Sequence, residues 1–328
     1  MLVTSFQRAM RLSDNYKGRS AGSPTEMPAA AWKSVLLRTW AEAGKDNIGL
    51  VAAGASFYVF LAMVPLLGSV VLTYGLVADV RTVGDHIAGL LAVMPAEAAE
   101  LIGEQLIAVV QGSSGEKGLG LLAALAIALF GARNAAGALI TALNIAYEEE
   151  EKRGFIRVNL LALAITASGV MAAVAGILAI AALNFMHFAM PQGSGILVAA
   201  GRVLSFILVG LVAAGMAALL YRYGPSRANA RWRWLTPGSA LFAVSMVFLT
   251  LGFGFYVSRF GSYGATYGSL SSVVVLLTWI YLSAYVLLFG AELNSELEHQ
   301  TARDTTTGPE RPIGQRGAWV ANNVAEDE

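Results

Sequence analysis

Arg133 is the residue in this chain whose type and place could do chemistry. It sits in Phe130-Gly131-Ala132-Arg133-Asn134-Ala135-Ala136-Gly137, deep inside an apolar run. A guanidinium at the centre of a hydrocarbon layer costs about 2.5–3.5 kcal/mol on insertion scales, so something must offset it. An anion, a carboxylate or a ring of helix carbonyls would serve. Glu292, toward the end of the last apolar run, is the acid best placed to balance it. By helix rise Arg133 lies about 21 Å from the outer end of its run and Glu292 about 33 Å from the outer end of its own. Two long side chains nearly close that gap of roughly 12 Å, with water or an anionic ligand between them. The competing reading is a buried structural Arg bonded to carbonyls, Asn144 or Asn184.

Other chemistry is thinly represented. His86, His187 and His299 do not group, and no carboxylate spacing beside them resembles a metal site. Glu148–Glu151 beside Lys152 and Arg153 reads as a solvated loop with self-neutralising charge. Cysteine is absent, which removes disulfides, thiolates and cysteine-metal sites. No glycine-rich phosphate cradle precedes a lysine. The reading is therefore of no catalytic residue, no metal and no cofactor. Net charge is zero, so no bulk basic field argues for nucleic acid.

The elements that would position these residues are hydrophobic helices. Six apolar runs read as spans: Ile48–Leu76, Leu119–Ala146, Leu160–Phe188, Leu197–Tyr221, Leu235–Val257 and Leu270–Leu293. About 20 residues cross a hydrocarbon core of roughly 30 Å. The chain is 56 % hydrophobic and 13 % charged, against about 25 % charged in soluble domains. Its mean hydropathy is +0.61. The loops on one side hold seventeen Lys and Arg and those on the other three, which predicts both termini in the cytoplasm. The fold class expected is an all-α integral membrane protein with six transmembrane helices in a bacterial inner membrane.

Between and around the spans the organisation reads as follows. Residues 1–31 form a disordered cytoplasmic arm without an apolar signal-peptide core. Residues 32–46 form an amphipathic helix with the stripe Trp32, Val35, Leu36, Thr39, Trp40 and Ala43. It lies at the interface, where Lys33, Arg38 and Lys45 meet anionic lipid, or packs on the end of the bundle. The six-helix domain covers 47–297. It includes an external helical loop, 80–111, with an apolar face and an acidic one (Glu97, Glu100, Glu104). Residues 298–328 read as a disordered tail. Pro65 should kink the first span. Gly131, Ala135, Ala136 and Gly137 let helices approach closely, within one protomer or between two in a homo-oligomer.

Several motifs in order resemble the YihY/BrkB-like family of bacterial inner-membrane proteins. They are Ala53-Gly54-Ala55-Ser56-Phe57-Tyr58 leading to Met63-Val64-Pro65-Leu66-Leu67; Ala142-Leu143-Asn144-Ile145-Ala146-Tyr147; Tyr221, Gly224-Pro225 and Trp234-Leu235-Thr236-Pro237-Gly238; and Tyr263, Tyr267-Gly268-Ser269-Leu270, Trp279 and Gly290-Ala291-Glu292-Leu293-Asn294. The resemblance spans roughly residues 35–297 and implies a six-helix membrane protein. The family is often labelled ribonuclease BN and also virulence factor. The chain lacks a plausible hydrolytic centre, so the ribonuclease label is not carried over. The motifs place Tyr58, Pro65, Asn144, Tyr267, Glu292 and Asn294 within or beside spans. With Arg133 and Asn134 the polar ones form the candidate intramembrane binding set. The expectation is a permease-like protein that binds or moves an amphiphile or small anion in the envelope. The alternative is a non-enzymatic scaffold or envelope-integrity protein.

Overall fold

The computed structural model describes residues 17–77, 114–169, 171, 195–260 and 270–325. Helices dominate them. In chain order these are α1 (Ala29–Lys45), α2 (Ile48–Val77), α3 (Ser114–Ala146), α4 (Phe155–Gly169), α5 (Gly195–Tyr223), α6 (Trp232–Phe260), α7 (Leu270–Gln300) and the short α8 (Trp319–Asn322). Among the described residues there is no strand, only an isolated antiparallel bridge, Ala230 to Thr306. Helices lie within each of the six apolar runs. Two, over Trp232–Tyr256 and Val273–Gln300, are long and apolar enough to cross a membrane among the described residues; α1 and the start of α2 make a third if that bent pair is one span. The external loop 80–111 and Tyr267 lie outside the described residues.

The chain divides into two compact units. One holds residues up to Ala52, Leu139–Phe248 and Tyr285 onward; the other holds Ala53–Ala138 and Leu249–Ala284.

The first unit has an apolar cluster of Ala21, Met27, Ala31, Val35, Trp234, Leu293 and Leu297. Helix α1 packs by Ala31, Val35, Thr39 and Ala43, an i, i+4, i+8, i+12 line. The expected stripe therefore splits: Leu36 is exposed, and Trp40 is 72 % exposed. Arg38 turns inward, its Nε donating to Glu296 Oε2 at 2.6 Å. Helices α1 and α2 meet at 62° across Asp46-Asn47. Asn47 takes the left-handed conformation there (φ 51°), which a short polar side chain tolerates. Helix α2 then runs as continuous helix through Pro65.

Helices α6 and α7 meet at backbone distance. A Cβ on Gly238 would run into the carbonyl of Gly290, and one on Gly290 would come within 2.8 Å of the carbonyl of Gly238. Only glycine at both positions allows that crossing. Pro237 lies inside α6 and interrupts its ladder. Asn294 of α7 repairs the turn: its Oδ1 accepts the Gly238 N–H at 2.8 Å and its Nδ2 donates to Leu235 O at 3.3 Å. Tyr221 of α5 adds a bond from its hydroxyl to Leu287 O at 2.7 Å.

The disorder expected at the two ends does not hold for 17–31 and 298–325. Helix α7 continues to Gln300, and Thr301, Asp304, Thr305, Thr306, Arg316, Val320 and Ala321 are buried. Polar composition misled because the polar groups satisfy one another. Asp304 Oδ1 accepts from the Thr306 N–H and hydroxyl, and Arg316 donates to Arg311 O, Ala321 O and Ala302 O. The two ends also bond to each other, Ala302 N–H to Arg19 O at 2.9 Å and Gln300 Nε2 to Lys17 O at 2.7 Å.

In the second unit α2 and α3 approach closely: a Cβ on Gly131 would sit 3.0 Å from Ala62 Cα. Small residues beside Arg133 thus serve packing, and Ala135 and Ala136 are buried.

Candidate functional site

The polar end of the first unit gathers the charged residues that hydropathy alone cannot place. Its anchor is the ion pair of Arg227, in the α5–α6 loop, with Glu298 of α7. Arg227 Nη2 lies 2.8 Å from both carboxylate oxygens, and both side chains are fully buried. Thr305 donates to Glu298 Oε2 at 2.6 Å, and the guanidinium lies 4.7 Å over the Tyr147 ring. A charge-assisted pair in which one guanidinium nitrogen serves both carboxylate oxygens, with Thr305 as a further donor, satisfies the acid in a way a single bond would not.

Asn144, at the end of α3, ties two loops together. Its Oδ1 accepts the Ser226 N–H at 2.7 Å, and its Nδ2 donates to Glu151 Oε2 at 3.2 Å. Arg153 bonds Glu151 and the carbonyls of Tyr223 and Gly224. Hydrogen bonds from Arg153, joined by one from Asn144, hold the Glu151 carboxyl at a pKa of about 2. The acidic run is only partly solvated: Glu149 is buried, bridging the Trp319 N–H at 2.6 Å and Lys152 at 3.2 Å.

Asn144, Glu149, Arg153 and Ser226 line a cavity of about 1120 Å³ together with Asp46, Glu148, Lys152, Arg227 and α8. At its edge three carboxylates from two segments converge. Glu42, Asp46 and Glu148 each bring an oxygen within 4.8 Å of the others. Lys45 Nζ lies 2.9 Å from Glu42 and 4.0 Å from Glu148. Asp46 lies beside Glu292 of α7, which is 2 % exposed and whose Oε1 has no hydrogen-bond partner. Burial, then the charges of Glu148 and Glu42, push the Asp46 carboxyl up to about 6. The two non-glycine residues with positive φ among the described residues are Asn47 and Glu148 (φ 53°), one beside the cluster and one in it.

The residues expected from sequence divide between the units. Asn144, Glu292 and Asn294 belong to the first unit; Tyr58, Arg133 and Asn134 belong to the second. Arg133 Nη1 donates to Asn134 Oδ1 at 2.9 Å and is half-buried; Tyr58 is exposed and packs edge-on against Phe57. Asn144 bonds Ser226 and Glu151, and Glu292 meets Asp46. His299 stands 3.5 Å from Glu296 and packs on Trp319. Sequence reading missed the carboxylate cluster and the Arg227–Glu298 pair. Glu42 and Asp46, at i and i+4, were the legible half of the cluster; nothing local links them to Glu148 or Glu292.

Comparison with known proteins adds a family. The family model described as virulence factor BrkB matches residues 39–314. A putative ribonuclease-like protein, YfkH, of Bacillus subtilis is 31 % identical over 173 residues, 52 % of this chain and 62 % of that one. A UPF0761 membrane protein of Rhodospirillum centenum is 34 % identical over 120 residues, 36 % of this chain and 27 % of its own. One from Tolumonas auensis is 34 % identical over 98 residues, 30 % and 32 % of the two chains. The chain thus spans less than two thirds of the length of these relatives. No solved structure matches it.

Proposed function

This chain belongs to the virulence factor BrkB family, and on that premise we propose that it is an ion-coupled, permease-like protein of the bacterial inner membrane. In this reading it spans the membrane six times with both ends in the cytoplasm. It binds or moves an amphiphile or small anion and is not an enzyme. The bonds between residues 17–21 and 300–302 support termini on one side.

The observation that carries the reading is Glu292. It is a buried acid in an apolar helix, and Asp46 joins it to the polar cavity. A buried ionisable group on an apolar helix is the kind of residue that lines an ion or substrate path. Arg133, within the α3 run, supplies the attraction for the anionic group. The test uses vesicles loaded with a pH-reporting dye, with chloride, phosphate or a fatty acid supplied outside. Wild type should dissipate an imposed pH gradient with one of these. Glu292→Gln should lose the proton movement, and Arg133→Gln the dependence on the anion. Rates equal to protein-free vesicles for every anion would overturn the reading.

A scaffold without a substrate is the second reading, favoured by the packed end segments: it predicts that cutting 301–325 harms function more than Arg133→Gln does. RNA cleavage by pure protein, metal-dependent and abolished by Asp46→Asn, would overturn the non-enzymatic reading.

A further inference from the structure

We propose that Glu42, Asp46 and Glu148 form a binding site for a hard divalent cation, with Glu292 as its buried backing acid. It deepens the permease reading by naming an ion, and rests on that reading only for what the ion would couple to.

Three observations meet here. First, three carboxylates from the end of α1, the α1–α2 break and the α3–α4 loop bring oxygens within 4.8 Å of one another. Second, Glu292 comes from a third direction, on α7. It is 2 % exposed, its carboxyl meets Asp46, and its Oε1 lacks a partner. A buried oxygen left without a donor beside like-charged groups asks for a positive ligand. Third, the cavity lined by Asp46 and Glu148 gives a route in from water.

Lys45 is the one cation paired with the cluster among the described residues, and it is a poor permanent fill. Its side chain is 67 % exposed and reaches Glu42 and Glu148 from the rim. A long lysine there can swing outward and yield its place. The donors are all carboxylate oxygens, which suit Mg²⁺, Ca²⁺ or Mn²⁺ and disfavour soft metals. The ion would clamp the bend between α1 and α2 to the end of α3. That bend includes Asn47 in the left-handed conformation.

The probe is Mn²⁺, titrated by electron paramagnetic resonance into the full-length protein in nanodiscs, metal-free at the start. Wild type should remove one equivalent of the free-ion signal, and Ca²⁺ or Mg²⁺ should restore it. Asp46→Asn should weaken binding at least about tenfold, as loss of a metal-site group does. Glu148→Gln, a change at an exposed side chain that leaves the fold intact, should do the same. Lys45→Gln should tighten binding, because a competitor has gone. Mn²⁺ left free by wild type, or held equally by Asp46→Asn and Glu148→Gln, would overturn the site. Mn²⁺ binding without any anion-dependent flux would retain the site and sink the permease reading; flux without Mn²⁺ binding would do the reverse.

Discussion

Replacing Glu298 by Ala tests how the end segment is held. In the native protein Arg227 Nη2 gives both its bonds to Glu298, and Nη1 already has none. Its Nε makes only a long bond to Ala228 O, at 3.3 Å. Without Glu298 the guanidinium stays fully buried, with the Tyr147 face as its main compensation. Breaking a buried pair from one side costs roughly 3–5 kcal/mol. The Thr305 hydroxyl loses its acceptor too, worth roughly 1 kcal/mol. At about 2–4 °C per kcal/mol for a chain of this size, Tm should fall by roughly 10–20 °C. The assay is thermal unfolding in detergent followed by tryptophan fluorescence, with limited proteolysis alongside. Cleavage within 301–325 should precede cleavage elsewhere, because Thr305 is a tether of that segment. The double change Arg227→Met with Glu298→Leu should recover much of the loss, since it removes the stranded charge. A fall under about 3 °C for Glu298→Ala, with the segment still protected, would refute the reasoning.

Two further expectations follow from the same unit. Asn294→Leu should leave the Gly238 N–H and the Leu235 carbonyl to fend for themselves beside Pro237, costing roughly 1–3 kcal/mol and lowering Tm; an unchanged Tm would mean the turn closes unaided. Glu151, held at about 2 against an ordinary 4.5, binds fewer protons folded than unfolded, so its contribution is present above about 4.5 and is lost as pH falls toward 2; Glu151→Gln should flatten the stability profile in that window, and an unaltered acid limb would contradict it.

Local features of the chain determined a good deal. Hydropathy marked the helices, because apolar length is a property of contiguous residues: α2 begins at Ile48 and α7 at Leu270, where the apolar runs begin. The ordered motifs pointed to the family and singled out Asn144, Glu292 and Asn294. Tertiary structure decided the rest. Asn294 became the repair for Pro237, and Glu298 the partner of Arg227, because two helices and a loop happen to converge there. The end segment, polar enough to read as disordered, became ordered because its Thr, Asp and Arg groups found one another. The carboxylate cluster joins residues 42, 46 and 148, with residue 292 beside Asp46. Their charges act through space at a few ångströms, and no pattern of neighbours along the chain carries that distance.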